Sequence, residues 1–265
     1  MNAQRTARLL LLVSAVVVSA RLTAQLPLEP AAPPDAIDGI VTLFRDFRLV
    51  ALSEGPHNNR KAHEFRLALV RDPRSAAAVD DVVVEFGNAR YQPLLDRFVD
   101  GADVPYEELR QVWEDTTVPG PTWDRPMYHE LIVAIREVNR ARPNTLRVVL
   151  GDPPIDWDTI RDRAEIEAFY PRRSPYAAGV VRREVLAKNR RALIVYGAGH
   201  LDGRGTPKES MLALLERATR SHIFNISTAF ANVAAFEPAV ARWPIPSLFV
   251  LAQTRFGAQP YLTLY

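Results

Sequence analysis

The chain has 265 residues, 48% hydrophobic and 24% charged, a balance that excludes disordered, collagen-like and coiled-coil proteins. It contains no cysteine, which excludes disulfide frameworks, cysteine-ligated zinc, iron–sulfur clusters and thiol catalysis. Three of the 33 basic residues and no acidic residue lie in the first 24 positions, so the net charge of +2 does not indicate nucleic-acid binding.

Residues 1–24 have the layout of a secretory signal peptide. Two arginines precede an apolar run, and small residues follow it, with cleavage expected between Ala20 and Ala24. A permanent membrane span needs roughly 20 apolar residues, so the short run favours export over anchoring. Residues 25–34 are rich in proline and predict an extended linker. We therefore predict an exported protein, periplasmic or extracellular, with no permanent membrane span and one folded domain over residues 35–265.

Apolar patterning from residue 35 onward predicts alternating helices and strands. Helices are expected over about 35–47, 60–71, 156–168, 175–189, 207–219 and 236–242, and strands over 48–52, 81–86, 146–150, 192–196, 222–228 and 246–251. Residues 90–142 predict helices alone. This order predicts a single α/β domain with a mostly parallel or mixed central sheet, flanked by helices and carrying a helical insertion.

Polar residues follow three of the predicted strands, at positions where ordinary turn residues would suffice. Glu54 and His57 follow the first strand, Glu85 ends the second, and His200 follows the fourth. Ligands of open α/β sheets bind outside the carboxyl ends of the strands, so we expect these four side chains to share one pocket. Two imidazoles and two carboxylates are suited to proton transfer or to metal ligation.

Each of these residues also has a purely structural interpretation. A histidine after a glycine-rich turn is commonly a loop residue, whereas a carboxylate such as Glu85 is costly to bury without a partner. Arg66, on the helix after the first loop, could bind a substrate anion, hold Glu54 or form a surface salt bridge. Asp152 is interpreted as a turn residue before two prolines. The sequence contains no Gly-x-Ser-x-Gly, Gly-x-x-x-x-Gly-Lys or His-Glu-x-x-His motif.

Five short motifs occur in order over roughly residues 48–201. They are Leu52–His57, His63–Arg66, Val84–Phe86, Arg183–Asn189 and Ile194–His200. Together they resemble the superfamily of erythromycin esterases, ChaN-like haem-binding proteins and Tiki/TraB proteins.

The resemblance assigns a family position to each candidate residue. It implies Glu54 and His57 as the first family motif, Glu85 as the second-strand acid and His200 as the last motif. It also implies Arg66 as the helix arginine of the esterases, and Arg183 with Glu184 as the later basic-acidic element. Gly197 stands where the macrolide esterases have a further histidine, so we do not expect a macrolide substrate.

The resemblance implies two classes of function. As a hydrolase of an ester, amide or peptide, the protein would use His57 as general base, Glu54 or Glu85 to orient it, and His200 as a second acid or base. Arg66 or Arg183 would then stabilise developing negative charge.

In a Tiki-like form, His57, Glu54, Glu85 and His200 would instead bind a divalent metal. The alternative class is a periplasmic protein that binds haem or another small ligand without turnover, as ChaN-like relatives imply. In a third, structural hypothesis the polar strand ends only cap helices.

We favour the hydrolase, because two carboxylates beside two histidines exceed what a ligand pocket requires. Its substrate would be a small molecule or a peptide; the sequence does not indicate the oligomeric state.

Overall fold

Five parallel strands form the central sheet of the protein. The computed structural model describes residues 35–118, 120–142, 146–202, 209–228, 241–250 and 254–255. The strands are β1 (Leu49–Ser53), β2 (Asp81–Asn88), β3 (Arg147–Asp152), β4 (Ala192–Tyr196) and β5 (Phe224–Ile226). Their spatial order is β3–β2–β4–β1–β5, and each neighbouring pair is parallel. The predicted α/β architecture is therefore confirmed.

The strands are apolar along most of their length because helices cover both faces of the sheet. β1 and β4 are buried at each position. Successive side chains point to opposite faces, so Val82 and Val84 belong to one core cluster and Val83 belongs to the other. This double burial explains why each strand reads as a continuous apolar run in the sequence.

Ten α-helices surround the sheet in the described part of the chain. They are α1 (Ala36–Leu43), α2 (Arg60–Arg71), α3 (Pro73–Ala78), α4 (Gln92–Val99), α5 (Tyr106–Glu114), α6 (Pro126–Ala141), α7 (Arg163–Glu167), α8 (Arg173–Val180), α9 (Ala198–Leu201) and α10 (Met211–Thr219). The first six contribute to the core on one face, and α8 to α10 contribute to the core on the other. α8 continues into a π-helical turn, Val181–Val185.

The structure differs most from the sequence prediction in two helical regions and at one strand. The helix expected over 156–168 is a 3₁₀ turn, Trp157–Thr159, followed by the short α7, and the helix expected at 175 begins at Arg173. The strand expected over 246–251 is wrong for its described residues: only Ser247 forms an isolated bridge, to Asp35. Proline at position 246 has no N–H to donate to a strand ladder, and this limits pairing there.

Several predicted segments lie outside the described residues: the signal peptide over 1–24, the linker over 25–34 and most of the helix expected over 236–242. None of the helices within the described ranges combines the length and the hydropathy of a transmembrane span.

Candidate active site

The candidate site lies at the carboxyl edge of the sheet, where three strand ends meet. β4 occupies the position between β2 and β1, so residues that are distant in sequence flank its end. Ser53 pairs with Tyr196, and the Glu54 N–H donates to the Tyr196 carbonyl at 2.8 Å. Glu54 follows β1, and Glu85 follows Val84, the last residue of β2 that pairs with β4, so the two are brought to either side of Gly197.

Glu54 and His57 form the first carboxylate–imidazole pair, with Glu54 Oε2 3.2 Å from His57 Nδ1. The Tyr128 hydroxyl donates to Glu54 Oε1 at 3.2 Å, and Arg66 donates to the Glu54 carbonyl at 3.1 Å. The Trp123 ring packs against the imidazole, with 4.5 Å between ring centres. The Glu54 side chain is 2% exposed and that of His57 is 37% exposed. A buried, fixed carboxylate therefore presents an accessible imidazole.

The loop after β1 folds the imidazole back onto Glu54. Gly55 has a φ of 80° and Asn58 a φ of 72°, left-handed conformations that glycine and asparagine tolerate best. The Asn59 side chain then accepts a hydrogen bond from the Ala62 N–H at 3.1 Å and caps α2. Two turn residues and a helix cap therefore set the position of His57.

Glu85 and His200 form the second pair, with Glu85 Oε1 3.3 Å from His200 Nε2. Arg173 Nη2 donates to the same carboxylate oxygen at 2.7 Å, and the Gly197 N–H donates to Oε2 at 2.6 Å. The Glu85 side chain is 4% exposed. The other nitrogen of the His200 ring, Nδ1, lies 2.8 Å from Ser174 Oγ.

Gly197 is the junction between the two pairs. A Cβ atom at this position would lie 3.1 Å from Glu85 Oε2 and 3.8 Å from His57 Cε1. Both pairs therefore border the same small volume at the end of β4. A larger residue there would press on the Glu85 carboxylate, and this is the physical reason for glycine at position 197.

Arg173 links Glu85 to a third buried carboxylate, Asp152. Arg173 Nε donates to Asp152 at 3.1 Å. Thr117 donates to the same carboxylate from its N–H at 2.6 Å and from its hydroxyl at 2.7 Å. Asp152 is thus a partner of the site and not only the turn residue expected from the sequence. Arg173 was not predicted from the sequence, because nothing in its local pattern distinguishes it from the many other arginines.

The contacts shift the pKa of the site groups in different directions. The hydrogen bond to Glu54 raises the pKa of His57 above its ordinary value. Burial alone would raise the pKa of Glu85, but His200, Arg173 and the Gly197 N–H together hold it below its ordinary value. For Asp152, burial outweighs its donors and raises the pKa. Near neutral pH the site thus combines an ionised Glu85 with a His57 imidazole that can exchange a proton.

The predicted arginines occupy different places. Arg66 is buried and its guanidinium lies 3.7 Å from the Glu54 carboxylate, so it holds Glu54 in place. Arg183 is exposed and packs over the Tyr176 ring, 6.0 Å from its centre. A rise of about 1.5 Å per residue puts Arg183 roughly 15 Å along the helical stretch from Arg173. The role predicted for Arg183 at the site stays a prediction.

The residues of this edge do not fit a metal ion or a haem. Among the described residues, no group of three or more His, Asp or Glu side chains is arranged to hold a metal. Both carboxylates already face cationic or N–H donors: Glu54 has Arg66, and Glu85 has Arg173 and the Gly197 N–H. A metal would compete with a guanidinium at each one. A haem plane needs apolar surroundings, whereas the groups that border Gly197 are the Glu85 carboxylate and the His57 imidazole.

Comparisons with known proteins give only partial likeness. No family model and no curated protein matches the chain. Among solved structures, the type III effector HopBA1 has 16% identity, covers 66% of this chain and 78% of its own, and gives a TM-score of 0.41. The C-terminal region of Pasteurella multocida toxin has 10% identity, with 69% and 24% covered and a TM-score of 0.47.

The RRSP effector domain of a Vibrio vulnificus MARTX toxin has 16% identity, with 63% and 31% covered and a TM-score of 0.38. The chain thus spans less than a third of each of the two named toxin chains. These scores concern the path of the backbone and carry no information on the activity of this chain.

Proposed function

We propose that the protein is an exported hydrolase that cleaves an ester, amide or peptide bond at the carboxyl edge of its sheet. The observation that carries the proposal is the accessible His57 imidazole held by the buried Glu54, directly beside the Glu85–His200 pair. The motif order that resembles the erythromycin esterase superfamily supports the same class of reaction. Export is proposed from the composition of residues 1–24.

His57 is the group that exchanges a proton with water in this proposal. Its Nδ1 faces Glu54, which fixes the ring and leaves Nε2 to meet a water molecule. As the water attacks a carbonyl carbon, Nε2 takes its proton, and the adjacent Glu54 side chain stabilises the imidazolium that forms. Such a general base contributes about 10²–10⁴-fold in rate.

Arg173 is the arginine best placed to stabilise the developing oxyanion. Its Nε and Nη2 are bonded to Asp152 and Glu85, which fix the plane of the guanidinium at the site. The Arg66 side chain is 5% exposed, against 14% for Arg173, and Arg183 is exposed on a different part of the helix. The reaction is proposed without a metal, because the carboxylates are already occupied by donors.

The proposal is tested by screening ester, amide and peptide substrates with and without a chelator. On any substrate found, we expect His57→Ala to lower kcat/KM by about 10²–10⁴-fold and to keep the melting temperature within a few degrees, since the ring lies in a loop. His222→Ala is the matched control, because this imidazole is 94% exposed and contacts Glu216. Chelator should have no effect.

Full activity in His57→Ala would remove His57 from the mechanism. Tight haem binding in an absorbance titration, with no turnover of any substrate, would contradict the hydrolase and favour the binding protein.

Export has a separate test. Intact-mass measurement of protein recovered from an exporting host should show a chain that begins between positions 21 and 25. Recovery of the full-length chain in the membrane fraction would contradict cleavage.

A further inference from the structure

Ser174 lies on the side of the His200 ring opposite to Glu85. Its Oγ is 2.8 Å from His200 Nδ1, and Nε2 of the same ring is 3.3 Å from Glu85 Oε1. The tautomer with its proton on Nε2 is compatible with both contacts: Nε2–H faces the Glu85 carboxylate, and Nδ1 accepts from the Ser174 hydroxyl. Hydroxyl, imidazole and carboxylate are thus connected in series, which is the arrangement that activates a serine.

The surroundings of this series suit a nucleophile. Ser174 is partly exposed and is the second residue of α8, next to Arg173, which donates to Glu85. Glu85 is buried and also accepts hydrogen bonds from Arg173 and Gly197, so its orientation toward His200 is fixed. The other serine of this edge, Ser53, has a buried Oγ with no hydrogen-bond partner among the described residues.

Resting on the hydrolase proposed above, we propose that Ser174 is its nucleophile and that the reaction passes through an acyl ester of this serine. Ser174 Oγ attacks the carbonyl carbon and gives its proton to His200 Nδ1. The bond to the leaving group then breaks, and the leaving group takes a proton from His57 Nε2.

Water completes the reaction by attacking the acyl carbon. It gives a proton to His57 Nε2, the bond between carbon and Oγ breaks, and Oγ regains its proton from His200. Both imidazoles return to their starting states. His200 exchanges a proton only with Ser174 Oγ, and His57 exchanges one only with the leaving group and with the water that replaces it. The attack of water assigned to His57 above is therefore the second half of this reaction, after the ring has given its proton to the leaving group.

The activation of Ser174 can be measured without knowing the substrate. The chain has no cysteine, so Ser174→Cys introduces a single thiol, and its alkylation rate across pH 5–10 reports the thiol pKa. Ser247→Cys is the control, since this hydroxyl donates to the Pro244 carbonyl and not to an imidazole. We expect the midpoint for Ser174→Cys at least about one pH unit below that of the control, and adding His200→Ala should remove the difference.

A second measurement treats the wild-type chain with a fluorophosphonate and locates the adduct by mass. We expect it on Ser174 and expect none in Ser174→Ala. Equal alkylation midpoints, or substrate turnover that Ser174→Ala leaves intact, would contradict the proposal that Ser174 is the nucleophile. Neither result would contradict the proposed hydrolase. A lowered thiol midpoint and a Ser174 adduct with no turnover of any substrate would support the activated serine and count against the proposed function.

Discussion

The two ends of the sheet both carry buried charge, but they pair it with different groups. At the amino edge, Asp81 is bonded to Arg190 at 2.8 Å, and Arg147 is bonded to Asp96 at 3.1 Å. Carboxylates and guanidinium groups keep a fixed charge near neutral pH, so the ion pairs of this edge have a structural role. At the carboxyl edge, imidazoles contact the buried carboxylates Glu54 and Glu85. The two edges thus differ in the imidazoles that contact the carboxylates of the carboxyl edge, and the proton transfer proposed above depends on those imidazoles.

The largest expected difference between the edges is in stability. Arg173→Met removes the cation shared by Glu85 and Asp152 and should lower the free energy of unfolding by about 3–5 kcal/mol. Arg190→Met uncovers one buried carboxylate, Asp81, and should cost about 1–3 kcal/mol. Urea unfolding measures both. We expect Arg190→Met to keep its kcat/KM; a larger stability loss there than in Arg173→Met would reverse the comparison.

A smaller difference between the two edges is expected in how the free energy of unfolding changes at acid pH. The folded-state pKa of Glu85 lies below its ordinary value, so its pairing stabilises the fold above about pH 4.5 and is lost as pH falls below that. Burial raises the pKa of Asp81, so its contribution is favourable at low pH and is lost as pH rises through that pKa.

Glu85→Gln should therefore flatten the loss of stability on acidification from pH 5 to pH 3, and Asp81→Asn should steepen it. The free energy of unfolding measured by urea at each pH gives the two slopes. Slopes that change in the same direction in both variants would show that the two edges do not differ in this way.

The sequence predicted the strands near the site well, because β1, β2 and β4 are strongly apolar and bounded by turn residues. β4 was predicted at its observed bounds, Ala192–Tyr196. The carboxyl ends of parallel strands must meet, so the strand pattern was enough to predict that Glu54 and Glu85 lie at one edge. Local pattern and topology were sufficient for these residues.

The partners of these residues could not be predicted in the same way. The Tyr128 hydroxyl reaches Glu54 from 74 positions away, and Arg173 reaches Glu85 from 88 positions away. Helical periodicity indicates which face of a helix is apolar, but it does not indicate which polar residue meets a buried carboxylate. The strand predicted over 246–251 was wrong for a local reason. The prediction followed the apolar run there, and the prolines beside that run limit strand pairing.

The most direct test of the account is whether the two carboxylate–imidazole pairs serve one reaction. On a substrate found in the screen, kcat/KM is measured for the wild type, His57→Ala, His200→Ala and the double variant, with melting temperatures to confirm folding. We expect each single substitution to lower kcat/KM by about 10²–10⁴-fold and the double variant to lose little more than the worse single, because residues that act as a unit are not additive. Losses that multiply in the double variant would contradict the shared site.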